Sequence, residues 1–466
     1  MTDVLAARLA DIVGADHVLA DPPAMQPYVA DWRGAYRGRA RAVVRPASTE
    51  QVVEVVKTCT ADGVAIVPQG GNTGMCGGAT PSAKGDQVVL SMGRMNRILE
   101  VDAVNNTLAA EAGCVLASLQ EAAAEAGRLF PLSLAAEGSC QIGGNLATNA
   151  GGINVLRFGN ARDLVLGLEV VLADGTLWDG MRALRKDNRG YDLKQLFVGS
   201  EGTLGVITRA ILKLFLPPGE SVSAIIALDD ATHAVQLLNV LRARCGDTIQ
   251  AFELIGSICL SLVCRHIPGT RMPLAGHHRW YVLTEIAGTE GGKSPRPAVE
   301  SVLADAIERG WAADAALAES VAQANAFWRL RETIPEATRA EGAAFRSDIS
   351  IRVGSVAAFI ADASAAFEAR FPAARIVCFG HVGDGNLHFN ALLPIDTDAT
   401  LLTPVMATML YDLVARYDGS FSAEHGVGQA KRDELLRYKS HVEIDYMRRI
   451  KQVFDPRCLM NPGKIL

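Results

Sequence analysis

Short apolar runs alternate with longer amphipathic stretches along the first part of the chain. Ser48 and Gln51 have the spacing of a capping box, which predicts a helix that continues to about Asp62. A second helix is expected over residues 116–126. Runs rich in β-branched and other apolar residues predict strands at residues 41–46, 65–68, 88–92, 98–102 and 107–112. This alternation is typical of a mixed α/β domain.

The segment Leu216-Pro217-Pro218-Gly219 predicts a linker, because two prolines and a glycine continue neither a helix nor a strand. Beyond it, strands at 223–228 and 281–286 alternate with helices near 231–244 and 298–309. The pattern indicates a second α/β or α+β domain.

Towards the end of the chain, a helical stretch runs from about residue 319 to 340, and Pro335 must kink it or end part of it. Strands at 375–379 and 387–393 are joined by the turn Gly383-Asp384-Gly385-Asn386. A final helix is expected near 442–453.

The composition is that of a folded protein with an excess of glycine. Of 466 residues, 49% are hydrophobic and 21% are charged. Residues 63–205 hold 23 of the 44 glycines. Glycine lets the backbone bend sharply or approach a ligand closely, so this part of the chain is expected to contact a ligand with its backbone.

The net charge of −6 is spread without long runs, which argues against a nucleic-acid partner. The nine cysteines contain no CxxC pair, and free thiols indicate a reducing compartment. The amino-terminal residues do not resemble a signal peptide, and no apolar stretch approaches 18 residues. We therefore expect a cytoplasmic protein without a transmembrane segment.

The loop PQGGNTG, residues 68–74, directly follows a predicted strand, and its backbone N–H groups can face an anion. By itself the loop is also compatible with a tight turn. Two later glycine-rich tracts, EGSCQIGGNLATNAGG and GSEGTLGVIT, favour a large bound cofactor.

Three histidines lie in two glycine-flanked loops. His381 and His388 flank the turn VGDGN, and Asn390 shares the strand face of His388. Glu424 and His425 lie in the second loop, DGSFSAEHGVG. Two histidines and a carboxylate form a divalent-metal set with open coordination positions, although hydrogen-bonded polar turns are the alternative. Adjacent Glu and His cannot easily ligate one ion together, so one of them remains for acid–base work.

Two arginines, Arg331 and Arg346, are candidates for binding an anionic substrate. A guanidinium group pairs with a carboxylate in bidentate fashion. Arg331 follows Trp328 by three residues on a predicted helix, and Arg346 precedes a predicted strand. Exposed structural arginines are equally compatible with this pattern.

Seven segments are distributed along nearly the whole chain: PQGGNTGM, GSCQIGGNLATNAGG, LGLEVVLADGT, RKDNRGYDLKQLFVGSEGTLG, GHVGDGNLHFN, SAEHGVG and NPGK. Together they resemble the FAD-dependent D-2-hydroxyacid dehydrogenases of the vanillyl-alcohol oxidase and p-cresol methylhydroxylase superfamily, above all the branch that oxidises D-2-hydroxyglutarate. The resemblance implies an α+β fold, in which a two-part FAD-binding domain carries a ferredoxin-like α/β substrate (cap) domain.

The resemblance also implies the division of the chain. Residues 1–218 would form the FAD-binding domain, and residues 219–420 the substrate or cap domain with metal ligands. Residues 421–466 would return to the FAD-binding domain. The residues that would contact FAD are Pro68, Gly70, Gly71, Asn72, Thr73, Gly74, Met75, Ser139, Gly143, Gly144, Asn145, Thr148, Asn149, Gly151 and Ile207. Asn72 stands where relatives with covalent flavin carry histidine, so FAD is expected to be bound non-covalently.

By the same resemblance, His381, His388 and Glu424 would bind a divalent metal, zinc in many relatives, and His425 would be the catalytic base. A divalent ion acidifies a bound hydroxyl group. His425 would take the proton and the α-hydrogen would pass to FAD as hydride, which gives the 2-oxo acid.

Arg331, Arg346 and Asn390 would bind the substrate. D-2-hydroxyglutarate is favoured, but Pro335 replaces the threonine expected near the distal carboxylate, so D-malate is the second candidate. A D-lactate dehydrogenase or a glycolate oxidase catalytic subunit is the nearest alternative, and a non-catalytic flavin-binding subunit is an alternative of another class. The sequence contains no cluster of cysteines that could hold an iron–sulfur relay. The electron acceptor would therefore be external, either an electron-transfer flavoprotein or a quinone-linked carrier. A homodimer is expected as well.

Overall fold

The computed structural model describes residues 4–288, 292–394 and 397–466. The chain divides into two compact units. The first comprises Met1–Gly152, Phe158–Pro217 and Glu424–Leu466, and the second comprises Ile153–Arg157 and Pro218–Ala423. The sequence-based boundaries at 218/219 and 420/421 lie near these junctions, whereas the transfer of residues 153–157 to the second unit has no counterpart in the sequence pattern.

The first unit contains a small sheet, one strand of which leads into the first glycine-rich loop. Its strands are β1 (Val18–Leu19), β2 (Ala42–Val44), β3 (Ile66–Gln69) and β4 (Val88–Ser91), in the order β1-β2-β4-β3. β2 and β3 run parallel to β4, and β1 is antiparallel to β2. β2 and β4 are buried along their whole length, as expected for strands covered on both faces. β3 leads directly into the predicted ligand loop.

A second, antiparallel sheet completes the first unit. Its strands are β5 (Ile98–Asp102), β6 (Thr107–Glu111), β7 (Val165–Val171), β8 (Leu177–Gly180) and β9 (Val206–Lys213), in the order β5-β6-β9-β7-β8. One apolar core joins both sheets: it includes Val44 and Ile66 of the first, Leu168 and Leu212 of the second, and Met460 near the end of the chain.

The helices of the first unit connect and cover these strands. Ser48 Oγ accepts a hydrogen bond from the Gln51 N–H at 3.3 Å, which caps the helix predicted there. The helices are α1 (Val4–Val13), α2 (Pro22–Val29), α3 (Thr49–Ala61), α4 (Leu116–Glu125), α5 (Ile142–Ala147), α6 (Val155–Phe158, whose first three residues belong to the second unit), α7 (Ala161–Leu164) and α8 (Lys194–Phe197).

The second unit is built on one antiparallel sheet with strands β10 (Ser221–Leu228), β11 (Ile249–Gly256), β12 (Trp280–Ala287), β13 (Asp314–Leu317), β14 (Ala344–Phe345), β15 (Ile349–Ser350), β16 (Arg375–Gly380) and β17 (Asn386–Leu392). The strand order is β13-β10-β12-β11-β16-β17-β14, and β15 pairs with β17. The first four strands in this order, with helices after β10 and β12, form a ferredoxin-like arrangement, into which one further helix, Ser257–His266, is inserted between β11 and β12.

The helices of the second unit are α9 (Ala231–Cys245), α10 (Ser257–His266), α11 (Arg296–Glu308), α12 (Val321–Glu332), α13 (Ile334–Ala340), α14 (Val356–Arg370) and α15 (Ala399–Arg416). Pro335 ends the long predicted helix as expected: it lies in the first turn of α13, where its missing N–H costs nothing. The returning segment of the first unit adds α16 (Arg432–Tyr438) and α17 (His441–Phe454). One-turn 3₁₀ helices lie at Ala15–His17, Gly246–Thr248 and Val353–Ser355.

Candidate functional site

A cleft in the first unit gathers all three glycine-rich tracts. It holds about 970 Å³ of space between atoms, including its open mouth. It is lined by Pro68–Ala79 except Gly77, by Met92 and Ala112, by Cys140, Gln141, Gly143, Gly144, Asn145, Ala147 and Thr148, by Ser200, Glu201, Gly202, Gly205, Val206 and Ile207, and by His425. Tracts that are far apart in the sequence therefore share one wall.

The first loop is held in place by its own side chains. Gln69 Nε2 donates to the carbonyl oxygens of Tyr28 and Ala79, both at 2.8 Å. Asn72 has a φ of +53°, and its Nδ2 donates to the Ala30 carbonyl at 2.7 Å. Asparagine adopts this left-handed conformation more readily than most residues. The loop thus keeps its backbone turned towards the cleft.

Only glycine fits at position 71. A Cβ atom there would lie 2.1 Å from the carbonyl oxygen of Ser139, because the second glycine-rich tract passes directly against the first. Such a close approach of two backbones explains why the first loop carries consecutive glycines.

The cleft has the properties that a large polar cofactor requires. A Cβ atom on Gly74 or Gly144 would meet no atom within 4 Å, so both face open space. Within the described parts of the chain, the buried oxygens Gln141 Oε1 and Asn145 Oδ1 have no hydrogen-bond partner. Buried acceptors of this kind are normally paired. Donor groups of a bound ligand would satisfy them, so the residues present fit the predicted FAD.

Most of the predicted FAD contacts lie on this wall. All but three of them line the cleft: Pro68, Gly70, Gly71, Asn72, Thr73, Gly74, Met75, Gly143, Gly144, Asn145, Thr148 and Ile207. Ser139, Asn149 and Gly151 are not among the lining residues. Ser139 is exposed, and Asn149 Oδ1 accepts a hydrogen bond from the Arg162 N–H at 2.9 Å.

The sequence prediction named only Ile207 from the third tract, although Ser200, Glu201, Gly202 and Gly205 also line the cleft. The repeated glycines of GSEGTLG were the signal for them. Glu201 is the most informative of these residues because it is a buried acid, 9% exposed.

Glu201 binds the loop that carries His425. Its two carboxylate oxygens accept the N–H groups of Val427 and Gly428, both at 2.7 Å. Gly426 has a φ of +75°, and a Cβ atom there would lie 2.7 Å from Glu201 Oε1. Burial raises the pKa of the Glu201 carboxyl, and the two backbone N–H groups lower it in part. The loop is therefore anchored beside the cleft, and His425 is part of the cleft wall.

Glu424, the residue before this predicted base, is oriented by the end of the second tract. Its Oε1 accepts a hydrogen bond from the Gly152 N–H at 2.7 Å. A carboxylate has two oxygens and several lone pairs, so this bond leaves acceptor capacity for a metal.

In the second unit, the predicted hairpin is confirmed. β16 and β17 pair so that Phe379 lies opposite His388, and the ring centroids of His381 and His388 are 6.3 Å apart. His381 Nδ1 lies 2.5 Å from Glu253 Oε1, and His388 Nδ1 lies 3.3 Å from the carbonyl oxygen of Ser347. Each Nδ1 must carry a proton to bond these acceptors. Nε2 of each neutral ring then carries the lone pair, which is the form that binds a metal ion.

The predicted substrate residues also belong to the second unit. Arg331 is 7% exposed, and its Nε donates to Glu253 Oε2 at 2.6 Å. Arg346 is exposed and directly follows β14. Asn390 Oδ1 accepts a hydrogen bond from the Ser347 N–H at 2.8 Å, so its NH₂ group is the donor that it can offer a ligand. Glu253 had no place in the sequence prediction.

No disulfide joins any of the nine cysteines, all of which lie in the described ranges, and six of them are buried. Among the described residues, no helix combines the length and the apolar character that crossing a membrane requires.

Family models cover both units. Residues 40–180 match the model of the FAD binding domain, and residues 217–465 match the model of the C-terminal domain of FAD linked oxidases. The second match alone spans more than half of the chain.

Two curated relatives extend along the whole sequence. The D-2-hydroxyglutarate dehydrogenase of Xanthomonas citri pv. viticola is 40% identical, and the alignment covers 100% of this chain and 97% of that protein. The mitochondrial D-2-hydroxyglutarate dehydrogenase of Arabidopsis thaliana is 37% identical over 98% of this chain and 80% of its own length.

Among solved structures, substrate-bound p-cresol methylhydroxylase superposes with a TM-score of 0.76 at 18% identity, over 99% of this chain and 96% of that chain. This likeness concerns the fold. It confirms the predicted fold class, a two-part FAD-binding domain with a ferredoxin-like second domain.

Proposed function

Since this chain belongs to the family of FAD-linked oxidases, we propose that it oxidises a D-2-hydroxy acid to the 2-oxo acid, with D-2-hydroxyglutarate as the favoured substrate. One observation carries the proposal: His425, the residue expected to be the base, lines the same cleft as the glycine-rich tracts expected to hold FAD. A proton acceptor beside the electron acceptor is the arrangement that oxidation of an alcohol needs.

The residues of the cleft would bind FAD through backbone N–H groups and through the acceptors Gln141 and Asn145. Bound FAD supplies the hydride acceptor for the α-hydrogen of the substrate. His425 takes the hydroxyl proton on an imidazole nitrogen, a role typically worth about 10² to 10⁴ in rate. The anchored loop around Gly426 limits the positions that the ring can adopt.

We propose His381, His388 and Glu424 as ligands of a divalent metal, with zinc as the first candidate. The donor set fits: both imidazoles hydrogen-bond through Nδ1, and Glu424 is a carboxylate. A divalent ion held there would lower the pKa of a hydroxyl group bound to it.

Arg331, Arg346 and Asn390 would hold the carboxylates of the substrate. Asn390 offers an amide NH₂ group, and the two arginines offer guanidinium N–H groups. Pro335 at the start of α13 has no hydroxyl group to donate. The proposal is therefore tested most directly by comparing 2-hydroxy acids of different chain length as substrates.

The experiment is anaerobic reduction of the bound flavin, followed by loss of its visible absorbance, with a panel of D and L acids. We expect D-2-hydroxyglutarate to reduce the flavin faster than D-malate, D-lactate or glycolate. Faster reduction by lactate or glycolate would replace the substrate assignment, and reduction by L acids alone would refute the proposal.

Two further measurements test the roles of His425 and of the metal. His425→Ala should abolish flavin reduction while FAD remains bound, and unchanged reduction would refute its role as base. Treatment with EDTA should stop turnover, and zinc should restore it. A chain that binds FAD but reduces it with none of the acids would be a non-catalytic flavin-binding subunit.

The electron acceptor that we propose is external to the chain, either an electron-transfer flavoprotein or a quinone-linked carrier. A cytoplasmic location and a homodimer remain predictions from the sequence.

A further inference from the structure

Glu253 is a charged residue in the middle of a buried strand. It lies in β11, all of whose residues are buried, and its own exposed fraction is 0%. A buried carboxylate is costly unless it is paired and hydrogen-bonded. Here its two oxygens have different partners: Oε2 accepts from Arg331 Nε at 2.6 Å, and Oε1 lies 2.5 Å from His381 Nδ1.

The fold brings these partners together from separate elements. Arg331 lies on α12, and His381 directly follows β16. β11 pairs with β16 so that Leu254 lies opposite Gly380, which places Glu253 beside His381. One carboxylate thus contacts both a predicted metal ligand and a predicted substrate residue.

Each contact uses one N–H donor of its partner. The bond from Nε uses one of the five N–H donors of Arg331, and a guanidinium group pairs with a carboxylate through two such donors. The guanidinium group also lies over the Phe379 ring, 4.8 Å from its centroid. The bond to Nδ1 keeps the lone pair of His381 on Nε2.

We propose that Glu253 is a positioning residue that sets the tautomer of His381 and the orientation of Arg331 together. This inference rests on the proposed function, because it assumes that His381 binds a metal and that Arg331 binds substrate. A carboxylate has two oxygens, each of which accepts a hydrogen bond, so one side chain can hold both partners at once.

The variant Glu253→Gln tests the tautomer. Arg331 can only donate, so the amide oxygen of Gln must face it and the NH₂ group must face His381. An NH₂ group needs an acceptor, which favours the His381 tautomer with the proton on Nε2. That tautomer cannot bind a metal until the proton moves. We expect about 10- to 100-fold weaker metal binding, the usual effect of losing such a partner.

A matched double variant separates this role from simple stabilisation. In Glu253→Gln with Arg331→Met, the amide oxygen is released from the arginine and can rotate to accept from His381 Nδ1. Metal affinity should therefore recover towards that of the wild type. Arg331→Met alone should leave metal binding close to wild type while it raises KM. Removing the unpaired charge of Arg331 should also restore stability, so zinc affinity is compared only under conditions in which circular dichroism shows every variant to be folded. Under those conditions, a residue that merely stabilised the fold would leave the zinc affinity of Glu253→Gln equal to that of the wild type.

The measurement is calorimetric titration of zinc into the EDTA-treated, FAD-loaded protein. If the wild type binds no zinc, the metal part of the proposed function fails and this inference fails with it. If the wild type binds zinc but Glu253→Gln binds it equally well, or the double variant binds no more tightly than the single one, only the positioning role is refuted.

A second measurement does not depend on the folding of any Glu253 variant. In the metal-free wild type with ¹⁵N-labelled histidine, the His381 signals, assigned with His381→Gln, should report a proton on Nδ1 and a lone pair on Nε2. A proton on Nε2 with the lone pair on Nδ1 would refute the inference.

Discussion

Two buried glutamates contact parts of the proposed site that carry histidines, and they are stabilised in different ways. Glu253 in the second unit pairs with the charged group of Arg331 and with the imidazole of His381. Glu201 in the first unit accepts the backbone N–H groups of Val427 and Gly428. Each side chain uses both of its oxygens.

The two carboxyl groups differ in pKa because their partners differ. Burial raises the pKa of Glu201, since backbone dipoles and the more distant Lys431 and Lys464 offset it only in part. Burial acts on Glu253 as well, but the charge of Arg331 and the hydrogen bonds from Arg331 and His381 outweigh it and lower the pKa. A charged partner therefore keeps a buried acid ionised, whereas backbone donors chiefly orient a loop. The consequences of removing each acid should differ accordingly.

The largest effect is expected for Glu253→Ala. Removal of this side chain leaves the guanidinium group of Arg331 buried without its counter-charge, which typically costs about 3–5 kcal/mol. The free energy of unfolding of the second unit, measured by guanidinium denaturation of the FAD-loaded protein, should fall by this amount.

Glu300→Ala is the control in the same unit. Glu300 forms an exposed pair with Arg296 on α11, and such pairs contribute about 0.5 kcal/mol. Equal losses in the two variants would mean that the buried pair of Glu253 and Arg331 has no special role in stability.

Glu201→Ala should have a smaller effect on stability and a clear effect on turnover. The loss of two hydrogen bonds between a carboxylate and backbone N–H groups costs about 1–3 kcal/mol. The loop with His425 would lose its anchor, and a misplacement of about 1 Å can lower a rate roughly 100-fold. Stopped-flow reduction at saturating FAD measures this rate.

Glu201→Gln keeps one acceptor oxygen and should fall between the wild type and Glu201→Ala in both stability and rate. Normal flavin reduction in Glu201→Ala, with the loop bonds removed, would show that the anchor does not position His425.

The smallest effect is a pH dependence of stability. Burial, together with a smaller contribution from the charge of Arg432, lowers the pKa of Lys464 to about 8, from 10.5 in an unfolded chain. Between these pH values the unfolded chain binds more protons, so the free energy of unfolding should rise with pH by about 1 kcal/mol per unit. Denaturation at pH 8, 9 and 10 should show this rise in the wild type relative to Lys464→Met. A steeper rise of the free energy of unfolding in Lys464→Met than in the wild type would contradict the assignment of this pH dependence to Lys464.

The local parts of the site could be predicted from the sequence. The hairpin that carries His381 and His388 depends only on two short strands and a glycine turn, and the structure has it as expected. The loop after β3 was recognised because glycine is the residue that permits close backbone contact. These features depend on neighbours in the chain.

The role of Glu253 could not be predicted from local sequence patterns. Its signal was weak: one acid within the apolar run IQAFELIG, where charged residues are rare unless paired. Its partners are 78 and 128 residues away in the sequence. No spacing rule connects positions that are related only by strand order and by a helix packed on the sheet.

The sequence by itself determined the glycine-rich tracts, part of the alternation of strands and helices in the second unit, and the histidine hairpin, because each depends on local backbone preference and on the spacing of apolar residues. Only the tertiary structure decided that the third tract and the His425 loop share a cleft with the first two, and that two buried acids contact the loop of His425 and the side chains of Arg331 and His381. Burial and pairing depend on which distant segments meet, and that is a property of the folded chain.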